Sequence, residues 1–375
     1  MTTHAVLRQQ QPTAGRTPPR LAVVVSGALR RFFLRCADRM LPAHLAVLEQ
    51  AHGFSHAYIL STMVELGIPD ALRDGPLSAD ELATRTGTDA GSLHRLLRAA
   101  AVFRAVRFTG DGRFEGTRFT TVLGADHPSA AADWCRYIGS AAHQAAWGDL
   151  TESVRTGADA FRRVHGQKMF EWFATHPDES HHFSSGLGGL TRAEAPAIVS
   201  GYPFPTTGTI CDVGGGQGVL LAAILAARPG LRGIIVDHPT VLDQARTFLQ
   251  EQGLADRVEL VPGDLMASVV AHADLYLLKW VLHDWDDATG ERIVRTVARS
   301  MPPGARLLVI EGDLPHNAVD PRFSMIDLQM LVVTDGGRER TSDQLGRLVT
   351  AAGLGATTVH RTTTGLVMLE ARATS

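Results

Sequence analysis

The chain has 375 residues, of which 45% are hydrophobic, and its formal net charge is −3. That length accommodates two globular domains with a sizeable core. The near-neutral charge excludes a strongly basic protein that binds nucleic acid or an acidic membrane through its overall charge. Its three cysteines, Cys36, Cys135 and Cys211, are odd in number and far apart. We therefore expect no disulfide framework and no zinc site, but reduced thiols in a cytoplasmic protein.

The first residues carry no clear targeting signal. Residues 1–20 are rich in Gln, Thr, Pro and Arg, which predicts a disordered tail. The apolar run over 21–29 resembles a signal-peptide core, but Arg30 and Arg31 end it and no small-residue cleavage site follows. The run is also shorter than the roughly 18 residues of a transmembrane helix. We expect neither secretion nor membrane insertion.

A winged-helix pattern occupies the middle of the N-terminal half. Ser78 and Glu81 form a capping box, a second helix covers 92–103, and Asp111-Gly112 joins two alternating stretches in a predicted β-hairpin. Winged helices often bind DNA through the second helix. The pattern is compatible with a DNA-binding regulator and with a domain that packs against another protein surface.

The Gly- and Pro-rich segment 201–208 separates this helical domain, 21–200, from an α/β domain, 201–375. In the second domain strands alternate with helices, which predicts a doubly wound, mostly parallel sheet. The predicted strands cover 209–213, 233–237, 257–261, 273–278 and 305–310, with a final hairpin over 355–360 and 365–370. The predicted helices cover 217–227, 239–252, 286–301 and 342–352.

The α/β domain is organised around a strand, a glycine turn and an apolar helix within 209–227. The turn contains Gly214, Gly215, Gly216 and Gly218. Glycine has no Cβ, so the backbone turns sharply and a ligand can approach it closely. The following helix N-terminus offers unpaired N–H groups to an anionic group.

Two acids indicate which cofactor this turn binds. Asp237 ends the second strand, where an acid commonly binds ribose hydroxyls. Asp264 ends the third strand, where it is well placed to read an adenine amino group. The nicotinamide fingerprint G-x-G-x-x-G requires a glycine where this chain has Val219. The pattern therefore favours S-adenosylmethionine over a nicotinamide cofactor.

Six segments in this order resemble one enzyme family: 212–218, the strand end at Asp237, 263–265, 279–285, 308–311 and 336–341. The series is similar to the S-adenosylmethionine-dependent O-methyltransferases that include plant caffeate methyltransferases and actinobacterial antibiotic-tailoring enzymes, and it covers about residues 40–372. The resemblance implies a Rossmann-like methyltransferase domain, a substrate pocket roofed by helices before residue 200, and a homodimer formed through the winged-helix domain rather than DNA binding. Cofactor contacts are expected at Gly214, Gly216, Asp237, Asp264, Leu265 and Lys279.

His283 is the predicted general base. A phenol ionises near pKa 10, so methyl transfer to its oxygen needs a base that removes the proton during attack. His283 follows the fourth strand, and the family holds its catalytic histidine at this motif position. The resemblance also implies that Glu311 and Glu339 orient its ring, as carboxylates do for other catalytic histidines.

The acceptor contacts follow mainly from the resemblance. Phe183 falls where the family places an apolar substrate contact. Met330 either resembles the flexible residues that face an aromatic acceptor or belongs to the ordinary core. Trp285 follows the base and is a further predicted contact, and Asp284 either binds a substrate hydroxyl or caps the helix that begins near Asp286. After Phe183 this chain has Leu-Gly-Gly-Leu-Thr at 187–191 in place of a polar stretch common in plant members. That departure favours bacterial aromatic natural products as acceptors.

We expect no metal in the reaction. Adjacent His181 and His182 point about 100° apart on a helix, which makes joint chelation difficult. The predicted activity is O-methylation of a hydroxyl on a small aromatic secondary metabolite. The alternatives are a relative with the same cofactor but different chemistry (N-methylation, hydroxylation or decarboxylation) and the DNA-binding regulator.

Overall fold

The computed structural model describes residues 20–269, 271–317, 319–355 and 357–373. The tail predicted over 1–20 thus lies almost wholly outside the described residues. Among the described helices, none combines the length and apolar character needed to cross a membrane.

The N-terminal part is helical with one small hairpin. The Ser78 hydroxyl accepts from the Glu81 backbone N–H, and the Glu81 carboxylate accepts from the Ser78 backbone N–H. The predicted capping box is therefore confirmed. The hairpin pairs Val106 with Gly116 and Phe108 with Phe114, as the Asp111-Gly112 turn predicts. Its elements are α1 Arg20–Arg39, α2 Ala43–Ala51, α3 Phe54–Glu65, α4 Ile68–Ala71, α5 Ala79–Thr86, α6 Ala90–Val102, β1 Val106–Phe108, β2 Phe114–Gly116 and α7 Arg118–Val122.

Six further helices form a layer between this part and the sheet. Aromatic side chains join several of them in one core cluster, which includes Tyr137, Phe161 and Phe173. These helices are α8 Ala131–Gly139, α9 Ala141–Gly148, α10 Leu150–Thr156, α11 Ala160–His165, α12 Met169–Thr175 and α13 Pro177–Gly201.

The remaining elements build a sheet with helices on both faces. They are β3 Thr207–Val213, α14 Val219–Ala227, β4 Gly230–Asp237, α15 Pro239–Glu251, β5 Val258–Pro262, β6 Leu275–Lys279, α16 Asp287–Ser300, β7 Arg306–Gly312, α17 Pro321–Val333, α18 Ser342–Ala351, β8 Thr358–Arg361 and β9 Leu366–Arg372. Two short 3-10 helices, Ala255–Arg257 and Leu282–Asp284, interrupt the series.

The seven strands have the order β5-β4-β3-β6-β7-β9-β8. Strands β3 to β7 run parallel, and β9 is antiparallel to both of its neighbours. The predicted fold class and the final hairpin are therefore confirmed. The order reverses at β3, so the ends of β3 and β6 flank the switch point, where open α/β sheets bind ligands.

Alternating strand residues fill two cores. On one face Tyr276 and Leu278 pack with α16 and α18, and on the other Leu275 and Leu277 pack with α14 and α15. A strand buried on both faces is apolar along its whole length. This burial makes the sheet a rigid base for the polar residues that follow each strand.

Helix α13 lies against α8 at a distance that only glycine permits. A Cβ on Gly189 would lie 1.8 Å from the Ser129 carbonyl oxygen, and one on Gly186 would lie 2.9 Å from the Trp134 ring. Backbone atoms cannot yield as a flexible side chain does. Of the two glycines in the departure from the plant pattern, Gly189 thus serves helix packing, whereas Gly188 lines the cavity.

We predict that Gly189→Ala lowers the free energy of unfolding by about 1–3 kcal/mol, because the added methyl overpacks a backbone contact. Gly148→Ala is the matched control, since a Cβ there meets no atom within 4 Å. Its effect should stay within about 0.5 kcal/mol. Urea unfolding of both variants measures the difference, and equal stabilities would contradict the packing argument.

Candidate active site

A cavity of about 440 Å³ lies between the carboxyl ends of the strands and the layer formed by α12 and α13. Residues 180, 183, 184, 187, 188 and 191 of α13 line it, a spacing that corresponds to one helix face. The sheet side contributes the glycine turn, the ends of β4 and β6, and residues 263–266. The sheet topology therefore brings the polar strand ends together beneath α12 and α13.

The glycine turn has the expected backbone conformation. Gly214 and Gly216 have φ values of 72° and 59°, in the left-handed region that favours glycine. The Asp237 carboxylate accepts from the Gly216 backbone N–H at 2.8 Å and from the His238 N–H at 2.7 Å. Burial is the main cause that raises the pKa of Asp237, and these two bonds oppose it. Asp237 therefore holds the turn while it lines the cavity.

Two acids flank this arrangement. Asp264 and Leu265 line the cavity after β5, and the Asp264 carboxylate accepts from the Met266 N–H at 2.8 Å. Asp212, at the end of β3, is 2% exposed and also lines the cavity. Burial raises the pKa of Asp212 to about 7, while nearby Lys279 lowers it and Asp237 raises it. Sequence reasoning included Asp212 in the motif without assigning it a role.

Lys279 is anchored by a residue that sequence reasoning missed. Its Nζ lies 3.0 Å from a Glu194 carboxylate oxygen and donates to Thr191 Oγ1 at 2.9 Å. Glu194, which is 2% exposed, also accepts from Trp280 Nε1 at 3.1 Å and from Arg322. Burial alone raises the pKa of Glu194, but Lys279 and Arg322 lower it overall. Glu194 thus joins α13, β6 and α17.

The His283 ring is fixed by Glu339. Its Nδ1–H donates to Glu339 Oε1 at 2.7 Å, and the Glu339 N–H in turn donates to Asp327 at 2.8 Å. His283 Nε2 lies 3.6 Å from Asp284 Oδ1. With Nδ1 committed as a donor, Nε2 is the ring nitrogen that is free to accept a proton.

Glu311 contacts the backbone rather than the ring. Its Oε1 accepts from the N–H groups of Val281 at 3.1 Å and Leu282 at 2.9 Å. The other oxygen, Oε2, is buried without a partner among the described residues. The pKa of Glu311 is raised to about 7, chiefly by burial; His283 opposes this rise and Glu339 adds to it. Glu311 therefore acts on His283 through the loop that carries it and through its charge.

The carboxylates around His283 raise its pKa by more than burial lowers it. Burial alone lowers the pKa of His283, but Asp284, Glu311 and Glu339 together raise it to about 9. Asp284 is affected in the same cluster, because burial raises its pKa to about 6 although His283 lowers it. The cluster therefore favours positive charge on the ring.

Asp284 does not cap the next helix, so that alternative is wrong. Asp286 is the N-cap of α16, where its carboxylate accepts from the Thr289 N–H at 2.7 Å. Asp284 instead lies in the 3-10 turn and lines the cavity. The two acids also differ in their surroundings, because burial raises the pKa of Asp284 whereas the bonds to Thr289 lower that of Asp286.

Arg340 stabilises the loop that carries His283 through hydrogen bonds to its backbone. Its side chain is 1% exposed and donates to the carbonyl oxygens of Leu282 and Trp285, both at 2.7 Å. It also pairs with Asp287 at 2.8 Å. The only sequence signal for this role was its place beside Glu339 in the motif at 336–341.

Among the predicted acceptor contacts, Phe183 and Trp285 line the cavity with Phe170 and Phe173. Met330 is 6% exposed and packs in the aromatic cluster with Tyr137 and Phe173. It is not among the residues found to line the cavity, and His283 itself lines a small adjoining space with Glu311 and Glu339. Asp284 thus lines the cavity while its Oδ1 lies 3.6 Å from His283 Nε2.

One histidine-containing group lies outside this cavity. The ligand atoms of Asp133, His181 and His182 lie within 4.8 Å of one another. We expected that His181 and His182 would point too far apart on a helix to chelate one ion, and these distances do not support that expectation. Arg136 lies 3.1 Å from Asp133 and opposes cation binding there.

Family comparisons match both parts of the chain. Residues 147–355 match the O-methyltransferase domain family, and residues 48–124 match the O-methyltransferase dimerisation domain. The second match supports a homodimer. Mitomycin biosynthesis 6-O-methyltransferase of Streptomyces lavendulae is 39% identical over 305 residues, which are 80% of this chain and 85% of the relative.

Solved structures agree in fold and cofactor. LaPhzM has a TM-score of 0.85 and 35% identity, with 89% of this chain and 100% of that chain covered. NcsB1, an O-methyltransferase from neocarzinostatin biosynthesis, has a TM-score of 0.72 and 29% identity, with 85% and 96% covered, and was solved with S-adenosylhomocysteine and 1,4-dihydroxy-2-naphthoic acid. This chain is therefore an enzyme that belongs to the S-adenosylmethionine-dependent O-methyltransferase family of secondary metabolism.

Proposed function

We propose that the protein methylates a phenolic or related hydroxyl of a small aromatic metabolite, with His283 as general base and no metal. The observation that carries this proposal is the His283–Glu339 hydrogen bond of 2.7 Å beside a cavity that also contains the glycine turn. A histidine with one nitrogen fixed by a carboxylate is prepared to accept a proton at the other. The aromatic molecule bound to NcsB1, 1,4-dihydroxy-2-naphthoic acid, supports the choice of acceptor class.

The residues present fit the cofactor. Gly214 and Gly216 expose backbone to the cavity, and Asp237, Asp264 and Leu265 offer two acids and an apolar contact to a nucleoside. We assign the remaining contact to Lys279, which presents its ammonium beside Asp212. S-adenosylmethionine supplies an electrophilic methyl group, and its transfer leaves S-adenosylhomocysteine.

In the proposed reaction the acceptor oxygen gives its proton to Nε2 of His283 as the oxygen–methyl bond forms and the sulfur–methyl bond breaks. Asp284, 3.6 Å from Nε2, binds a donor group of the acceptor and directs the hydroxyl toward the ring. Glu339 stabilises the imidazolium that forms. Phe183 and Trp285 hold the aromatic ring by apolar contact.

The base must be neutral when the acceptor arrives, although the carboxylates raise the pKa of His283 to about 9. A sulfonium in the adjoining cavity adds positive charge and so disfavours the imidazolium. The same carboxylates then stabilise the imidazolium once the cationic sulfonium becomes a neutral thioether. The charge arrangement therefore suits the transition state better than the resting state.

We predict that His283→Ala lowers kcat by roughly 10²- to 10⁴-fold, because general-base catalysis contributes that much. Affinity for S-adenosylhomocysteine, measured by calorimetry, should change by less than about threefold. His272→Ala, at an exposed position, is the control and should retain kcat. The assay is repeated with a chelator, since a metal requirement would contradict the mechanism, as would unchanged turnover of His283→Ala.

The rate should also depend on pH through His283. The raised pKa favours the protonated ring, so kcat/KM for S-adenosylmethionine should rise with pH toward an apparent pKa of about 9. Glu339→Gln removes a negative charge beside the ring and should move this limb to lower pH while it reduces the maximal rate. Ionisation of the acceptor is common to both enzymes and cancels in the comparison. If kcat/KM rose over the same pH range in the wild type and in Glu339→Gln, the assignment of this pH dependence to His283 would be contradicted.

Glu194→Gln tests whether this buried carboxylate positions Lys279. Removal of one partner from a buried ion pair is strongly destabilising, so we predict at least about tenfold weaker binding of S-adenosylhomocysteine. Lys279→Met should weaken binding similarly, and the double variant should not be additive. Arg322→Met removes the outer, partly exposed partner and should change binding by less than about threefold. Additive losses would show that Glu194 acts independently of Lys279.

A further inference from the structure

The cavity has two chemically different ends. The cofactor end contains the glycine turn, Asp237, Asp264 and Lys279. The other end is formed by α12, the first half of α13 and the turn that carries Asp284 and Trp285. Because the glycine turn and strand ends take the cofactor in the proposed function, the acceptor occupies this second end.

Aromatic rings form the walls of the acceptor end. Phe170 and Trp285 face one another with centroids 6.0 Å apart and planes 22° from parallel. Phe173 and Phe183 lie 5.0 Å apart and continue the same wall. Such walls favour a flat aromatic acceptor.

The polar side chains at this end supply no positive charge. Among the described lining residues, those with hydroxyl or carboxyl groups here are Ser180, Ser184 and Asp284. The basic residues that line the cavity, His238 and Lys279, lie at the cofactor end, and Lys279 is paired with buried Glu194.

The arginines near His283 are committed elsewhere. Arg338 donates to Asp287 at 2.6 Å, and Arg340 donates to Asp287 and to two loop carbonyls. Neither is among the residues found to line the cavity. Among the described residues that line the acceptor end, none is an arginine or a lysine that could pair with an acid on the acceptor.

The groups behind the wall add negative charge. Asp284 lines the cavity, its Oδ1 lies 3.6 Å from His283 Nε2, and Glu339 is paired with the other ring nitrogen of His283. Even with the ring protonated, one imidazolium and two carboxylates leave a net charge of −1, before Glu311 is counted. Burial raises the pKa of Asp284 to about 6, so it is ionised at the alkaline pH where the base is neutral.

We propose that the acceptor end selects against carboxylated aromatics and for neutral or cationic ones that carry a hydrogen-bond donor for Asp284 beside the reacting hydroxyl. The proposal rests on the proposed function, since it concerns the acceptor of that reaction. An acceptor carboxylate would lie near Asp284 in a poorly solvated cavity, where like charges repel more strongly than in water. A hydroxyl, amino or amide group at the same place donates to Asp284 instead.

The test compares acceptors that differ in one charge. The probes are 1,4-dihydroxy-2-naphthoic acid, its methyl ester and its primary amide, which share the same ring and hydroxyls. We expect kcat/KM for the ester and the amide to exceed that for the acid by about 10- to 100-fold at pH 8. Equal or better use of the acid would overturn the proposal.

A second arm measures binding without turnover. Quenching of tryptophan fluorescence, with Trp280 and Trp285 on the cavity wall, reports acceptor binding to enzyme saturated with S-adenosylhomocysteine. Asp284→Asn should reduce the preference for ester over acid to within about threefold, chiefly by tighter binding of the acid. Asp335→Asn, at a surface acid paired with Lys168, is the matched control and should keep the wild-type preference.

These outcomes separate the two proposals. If the ester and the amide bind more tightly than the acid but none is methylated, the charge selection stands and the proposed reaction on such phenols fails. If all are methylated with equal efficiency, the reaction stands and the charge selection fails. An unchanged preference in Asp284→Asn would also overturn the assignment to Asp284.

Discussion

The hydrogen bond between His283 and Glu339 is the interaction on which the site depends. It joins the turn after β6 to the loop before α18, two segments that are remote in sequence. Glu311 holds the same turn through two backbone N–H groups, and Arg340 holds it through two carbonyl oxygens. The ring is therefore positioned by bonds to its own nitrogen and to the backbone on both sides of it.

Charge distribution gives the cavity its chemistry. Acids line the sheet side, and the cation among them, Lys279, is held by Glu194 from the opposite helix. A cavity of this kind suits a cationic cofactor, because buried carboxylates stabilise a positive ligand more than water-exposed ones do. The same excess of negative charge that favours the sulfonium disfavours an anionic acceptor. The acceptor selection that we propose would therefore share its electrostatic origin with cofactor binding.

Local sequence predicted the fold well. Strands β3 to β9 were predicted to within a few residues. The central strands β6 and β7 are buried and read as continuous apolar runs, whereas the edge strands β5 and β8 are largely exposed or half-buried. Helix α17, by contrast, was not predicted as an element, and Glu194 was not noticed. Glu194 of α13 meets Lys279 of β6 only through the tertiary fold, and nothing near either residue in the chain signals that pairing. For a related reason the sequence could not decide whether Asp284 caps the next helix or binds a substrate hydroxyl. Capping depends on backbone angles, which composition does not reveal.

Helix α13 shows how packing and chemistry are coupled. Its glycines allow close contact with α8 on one side, while Phe183, Leu187 and Thr191 face the cavity on the other. Glu194, one turn further along, anchors the helix to Lys279 and Trp280 at the end of β6. A change that shifts α13 therefore moves the acceptor wall and the cofactor lysine together.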